Sequence, residues 1–203
     1  MLYITKPEIR PTGYHVITET PQWTIWLGRN VPKSLHSEVR KRLISNLKHL
    51  VVGLELKAAL IEGHRNPGHG GRPVLFQSYF QNLILEFCVA SFSVLEGLGS
   101  AHWLEQQGRD GADGPAIRRN QWLPALCAIY DKTGEHDLLA NVENTLAVRD
   151  RLHQDKLGAR DNIDWHAFSY EAAFAPASAA IRTLLRNQAE AVPDTTNLNA
   201  WSA

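Results

Sequence analysis

Leu83-Ile84-Leu85-Glu86-Phe87-Cys88-Val89-Ala90-Ser91-Phe92-Ser93-Val94-Leu95-Glu96-Gly97-Leu98 is the stretch that decides the fold. It lies inside a longer apolar segment, Val74 to about Gln107, in which Leu75, Tyr79, Phe80, Leu83, Ile84, Phe87, Cys88, Val94, Leu95 and Leu98 cover more than one helical face. A helix that is greasy on several sides must be covered on several sides, so this one belongs at the centre of a group of helices. Toward its end, Gly97, Gly99, Ser100 and Ala101 are small and let a neighbouring helix come close.

Upstream, Leu35, Val39, Leu43, Leu47, Leu50, Val51, Leu54, Ala58 and Ile61 mark a second long helical stripe, with Glu38, Arg40, Lys41, Arg42 and Lys48 opposite. Ser34 is placed to cap it and Gly63 to end it. Residues 63–73 then form a loop with glycines, two histidines and two arginines, a connector or a substrate-contacting loop. Its spacing matches neither the P-loop nor the dinucleotide fingerprint. After a second loop, Gly108–Pro115, the residues Trp122, Leu123, Leu126, Cys127 and Tyr130 predict a short helix interrupted near Pro124. Asp137 is placed to cap a helix on Leu138, Leu139, Val142 and Leu146 that runs to about Leu157-Gly158. A last helix covers roughly Trp165 to Ala189, with Asp164 as its cap and Pro176 kinking or dividing it.

The N-terminal region reads differently. Tyr14–Thr20 and Trp23–Leu27 are β-branched and aromatic, separated by Pro21-Gln22, which predicts a short β-hairpin or extended arm. A lone hairpin is marginal in water, so it should lie on the helical body or on a partner. The expected architecture is all-α: a four- or five-helix bundle over residues 34–190, an N-terminal β-hairpin or arm over 1–33, and a flexible C-terminal tail over 191–203.

Composition narrows the function classes. Lys+Arg and Asp+Glu both number 21 in 203 residues, so no global positive field draws the chain to nucleic acid, and any such contact needs a local patch. The two cysteines, Cys88 and Cys127, sit in apolar surroundings and form no Cys-x-x-Cys. The first residues lack the apolar core of a signal peptide, and no uninterrupted apolar run approaches the roughly 18 residues of a membrane span. A soluble, cytoplasmic protein without membrane contact is the expectation.

The chemistry is concentrated where the Leu138–Leu146 stripe continues. Its next positions are Arg149 and His153, four apart and one turn from each other on the same face. Such side chains facing a core are costly unless paired. A buried Glu96 would be one partner for Arg149. A neutral histidine can take a proton from a hydroxyl near pH 7 and its cation can return one; an arginine offers bidentate bonding to phosphate. Together the two could reach one phosphodiester and cleave RNA without a metal, the ribose 2′-OH attacking the adjacent phosphate. Asp150 could orient either side chain or help hold a partner subunit. Residues 149–160 carry Arg149, Arg151, Lys156 and Arg160 against Asp150 and Asp155, a local basic excess that makes Arg151 and Lys156 candidate substrate-binding residues.

Arg149, a polar Asp150 and His153 on a late helix of a helical domain resemble the HEPN superfamily. The interval is one residue shorter than the family's usual spacing. The resemblance covers residues 34–190. It implies a metal-independent endoribonuclease of the toxin–antitoxin or phage-defence kind, with Arg149, His153 and Asp150 catalytic, RNA as substrate, and a homodimer that brings two Arg–His pairs together. A cognate antitoxin or other partner protein would accompany it.

Two other readings compete. One is a non-catalytic helical module for a protein or nucleotide partner, favoured by tryptophans on an N-terminal arm. The other is a metal-dependent bundle enzyme using His49, His102 and His153. No Glu-x-x-His and no His-Glu-x-x-His stands in the chain, so neither metal nor cofactor is expected.

Overall fold

The structure is a computed structural model that describes residues 3–5, 14–16, 20–65, 77–150, 165–194 and 196–198. The described chain is mostly helical. Two three-residue strands, β1 (Tyr3–Thr5) and β2 (Tyr14–Val16), precede α1 (Thr20–Asn30), α2 (Ser37–Arg65), α3 (Gln77–Gln106), α4 (Arg119–Tyr130), α5 (Leu138–Asp150) and α6 (Ala175–Arg186). The apolar segment around Phe87 is central as its pattern requires: α3 packs against α2, α4, α5 and α6. By length and composition alone α3 could cross a membrane, but most of that window is buried under these neighbours.

The expected N-terminal hairpin is corrected. The partner of Tyr14–Val16 is Tyr3–Thr5, in parallel register, and Trp23–Leu27 is helical. The side-chain period explains the change. Trp23, Trp26, Leu27 and Asn30 are buried, while Thr24, Ile25 and Arg29 are exposed; that is a three-four repeat, not alternation. Pro21 sits in the first turn, where a missing N–H costs nothing. Burial of two tryptophans outweighs their preference for strands.

Several boundaries move for identifiable reasons. α2 begins at Ser37; Ser34 instead bonds Glu105 through its hydroxyl at 3.4 Å. α4 runs unbroken through Pro124, which lies on the exposed side with Asn120, where the unpartnered carbonyl is open to water. The Gln121 side chain steadies its start by accepting the Arg118 N–H at 2.8 Å. α5 is capped by Asp131, not Asp137: its carboxylate accepts the N–H of Leu138 at 3.0 Å and of His136 at 3.2 Å. Asp137 is in the left-handed region at φ 49°, the bend that lets the chain turn back under Asp131.

Pro176 divides the last helix as expected. A π-helical turn, Tyr170–Phe174, capped by the Ser169 hydroxyl, precedes α6, with Pro176 in the first turn of α6. The predicted flexible tail, 191–203, is corrected over its described residues, 191–194 and 196–198. Val192, Thr196 and Leu198 are buried, and Glu55 of α2, only 1% exposed, holds Thr196 and Asn197. Its carboxylate accepts the Thr196 hydroxyl at 2.6 Å and the Asn197 N–H at 2.7 Å. A buried carboxylate needs such donors, and the tail supplies them.

Candidate functional site

Arg149 stands in the last turn of α5, where its stripe (Leu138, Val142, Leu146) leaves the core. Its side chain is 33% exposed, and its Nη1 donates to Asp150 at 3.1 Å. The guanidinium carbon lies 4.8 Å from the ring centre of Phe92 on α3. Phe92 is itself fixed by an edge contact with Trp122 of α4, with ring centres 5.7 Å apart. A half-exposed neighbour pair contributes about 0–1 kcal/mol and an exposed cation–π contact about 0.5–1 kcal/mol. These contacts aim the guanidinium without consuming it. It carries five N–H donors, and Asp150 uses one among the described residues.

Glu96 does not meet Arg149. It is exposed, because α3 buries Leu95, Leu98 and Gly99 and leaves Glu86 and Glu96 on its one open stripe. The structure therefore brings together Arg149 and Asp150, on a platform the sequence did not point to, Phe92. Arg151, His153, Asp155, Lys156 and Arg160 lie outside the described residues, as does most of the 63–73 loop. His64 closes the end of α2 with its ring tilted against Phe80, centres 4.2 Å apart, and burial lowers its pKa.

Of the histidines read as a metal set, the two described ones have different surroundings. His49 is exposed on α2. His102 is 7% exposed and engaged at both ring nitrogens, Nδ1 with Glu105 at 3.4 Å and Nε2 with the Tyr130 hydroxyl at 3.3 Å. Tyr130 in turn lies 3.2 Å from Asn30 Oδ1, which also receives the Asn187 amide at 2.8 Å. The Trp26 indole donates to the Asn187 carbonyl at 3.0 Å and closes the network. Burial lowers the His102 pKa, opposed by Glu105, and raises that of Tyr130. The Tyr130 hydroxyl donates its one proton to Asn30 Oδ1, so a neutral imidazole, with a single N–H, donates either to Tyr130 through Nε2 or to Glu105 through Nδ1. Among the described residues, no three His, Cys, Asp or Glu side chains gather as a metal site. Cys88 is sealed in the core, its thiol pushed up to about 12 by burial, which leaves it protonated and unreactive.

Open cavities also lie on the surface of the described residues. One, about 500 Å3, lies between the 135–137 turn and α6 and mixes Arg182, Arg186 and His136 with Glu135 and Asp137. Another, about 460 Å3, lies at the turn from α1 to α2 and has only cations among its charged residues. No protein-family model matches the chain, and no curated protein or solved structure matches it significantly.

Proposed function

We propose that this chain is a HEPN-like helical bundle acting as a metal-independent endoribonuclease of a toxin–antitoxin or phage-defence system, a cytoplasmic homodimer with RNA as substrate. The observation that carries the reading is the state of Arg149: aimed by Asp150 and Phe92, one-third exposed, and with donors to spare among the described residues. Glu96, the carboxylate at hand in the sequence, is exposed and does not take up the guanidinium.

In this reading His153 takes the proton of a ribose 2′-OH. The oxygen attacks the adjacent phosphorus, the bond to the 5′-oxygen breaks, and that oxygen leaves with a proton from the second histidine of the dimer. The products are a 2′,3′-cyclic phosphate and a 5′-hydroxyl. Arg149 binds the phosphoryl oxygens as charge develops on them, and Asp150 holds Arg149 in place.

Two observations weigh on the rival readings. Trp23 and Trp26, which favoured a docking module, are core residues. His102, which favoured a metal enzyme, has both nitrogens occupied. The test is RNA cleavage by wild type, His153→Ala and Arg149→Ala in the presence of a chelator. Wild type should cleave, and each variant should lose about 100-fold or more, the scale of a general acid–base contribution, with helical content and melting unchanged. Equal cleavage by His153→Ala removes the proposal.

A further inference from the structure

The cavity between α1 and α2 is lined by Lys33, Leu35, Ser37, Arg40, Lys41 and Ile44. Some cations of this electroneutral chain stand beside acids: Arg29 with Glu190, Lys57 with Glu86, Arg109 with Asp113. Among the described residues, Lys33, Arg40 and Lys41 make no ion pair, and Glu38, three residues before Lys41, is exposed and does not pair with it. Three positive charges without a carboxylate partner line one 460 Å3 cavity and together attract an anion.

The three are not equivalent. Arg40 is half-buried and fixed, donating to the Gly28 carbonyl at 2.7 Å and the Val31 carbonyl at 3.4 Å, where α1 ends. It completes the C-terminus of α1 and holds its charge at the cavity whatever the ligand state. Lys33 and Lys41 are exposed, with free ammonium groups that can close over an anion. The cavity is larger than a phosphate needs, and its remaining walls include the buried Leu35 and half-buried Ile44, surface suited to a sugar or base.

We propose that this cavity binds the phosphate of a nucleotide unit, with Arg40 as the fixed cation and Lys33 and Lys41 as the closing pair. The site is separate from Arg149 and does not depend on the ribonuclease reading. The ligand is either a free nucleotide or one unit of an RNA strand, and the probes separate these sources.

The experiment titrates the full chain with adenosine 5′-monophosphate, adenosine, and a short single-stranded RNA at several salt concentrations. It then repeats the titrations with Lys33→Ala/Lys41→Ala, which removes no hydrogen bond of the fold. Binding of the monophosphate and RNA but not adenosine, weakened at least tenfold in the double variant, supports the site and a free-nucleotide source. Binding of RNA alone, with the same loss and a salt slope reduced by about 1–2, supports it as a strand-backbone site. Equal affinity of wild type and double variant, binding of adenosine as tight as the monophosphate, or no binding by any probe overturns it. If His153→Ala leaves RNA cleavage intact, only the catalytic reading falls. If the lysine pair leaves affinity intact, only this one does.

Discussion

A single missing methyl group sets how close α3 and α4 come. A Cβ at Gly99 would lie 2.8 Å from both the ring and the carbonyl oxygen of Trp122, and 3.3 Å from Leu126. A backbone oxygen cannot step aside without moving its helix. At Gly97 the nearest atom would be a methyl of Leu47, at 3.0 Å, the end of a side chain. Alanine gains about 1 kcal/mol over glycine in a helix, while overpacking costs about 1–3 kcal/mol. Gly99→Ala should therefore melt several degrees below wild type and clearly below Gly97→Ala, and thermal unfolding of the two in parallel checks the order. The small-residue run was legible in the sequence; which glycine is indispensable was not, because that depends on what faces it. Arg149 shows the same limit. Its place on the α5 stripe was readable, but its neighbour was misread, because Glu96 follows the 82–86–96 face of α3 that stays open.

Among elements, the two chain ends were read worst, and for one reason. Both hold polar or β-favouring residues whose conformation is set by what they are buried against. The period of Trp23, Trp26, Leu27 and Asn30 was helical all along, and residue preference concealed it. The tail was read as loose because its sequence has no helical stripe, yet Glu55 pins it. The Asn197 N–H bonds Glu55 at 2.7 Å and the Leu198 N–H bonds the Thr196 hydroxyl at 3.0 Å. Removing the carboxylate leaves buried donors unmatched, a cost of about 1–3 kcal/mol. Glu55→Ala should lower the free energy of unfolding in urea by that amount. It should also speed hydrogen exchange at Asn197 and Leu198 about tenfold or more while the amides of α3 stay protected. Unchanged exchange at those two positions would mean that something other than Glu55 holds the tail.

At the scale of the whole molecule, helical content and the central place of α3 were legible because apolar periodicity reports burial directly. What ties the remaining helices to that centre was not, since it is polar and scattered through the sequence: Trp26 and Asn30 of α1, His102 of α3, Tyr130 of α4 and Asn187 after α6. This network makes stability depend on pH in a determined direction. The His102 pKa is held below its ordinary 6.5 by burial, against the opposing pull of Glu105. Between the two values the unfolded chain binds the extra proton, so stability rises with pH there and is complete above about 6.5. Burial raises the Tyr130 pKa from 10.0, so its contribution is present below that value and declines as the unfolded phenol ionises above it. Cys88, raised from 9.0, begins the same alkaline decline earlier. The free energy of unfolding should be level between about pH 7 and 8.5 and fall on either side. The acid limb should reach at most about 1.4 kcal/mol per pH unit for each such histidine. His64, also lowered by burial, adds to that limb with the same sign. His102→Gln separates the two: it should reduce stability at pH 8 by removing bonds, yet flatten the acid limb by removing the proton. A variant whose slope below pH 6.5 matches wild type would show that His102 does not carry the acid sensitivity, whatever it does for the fold.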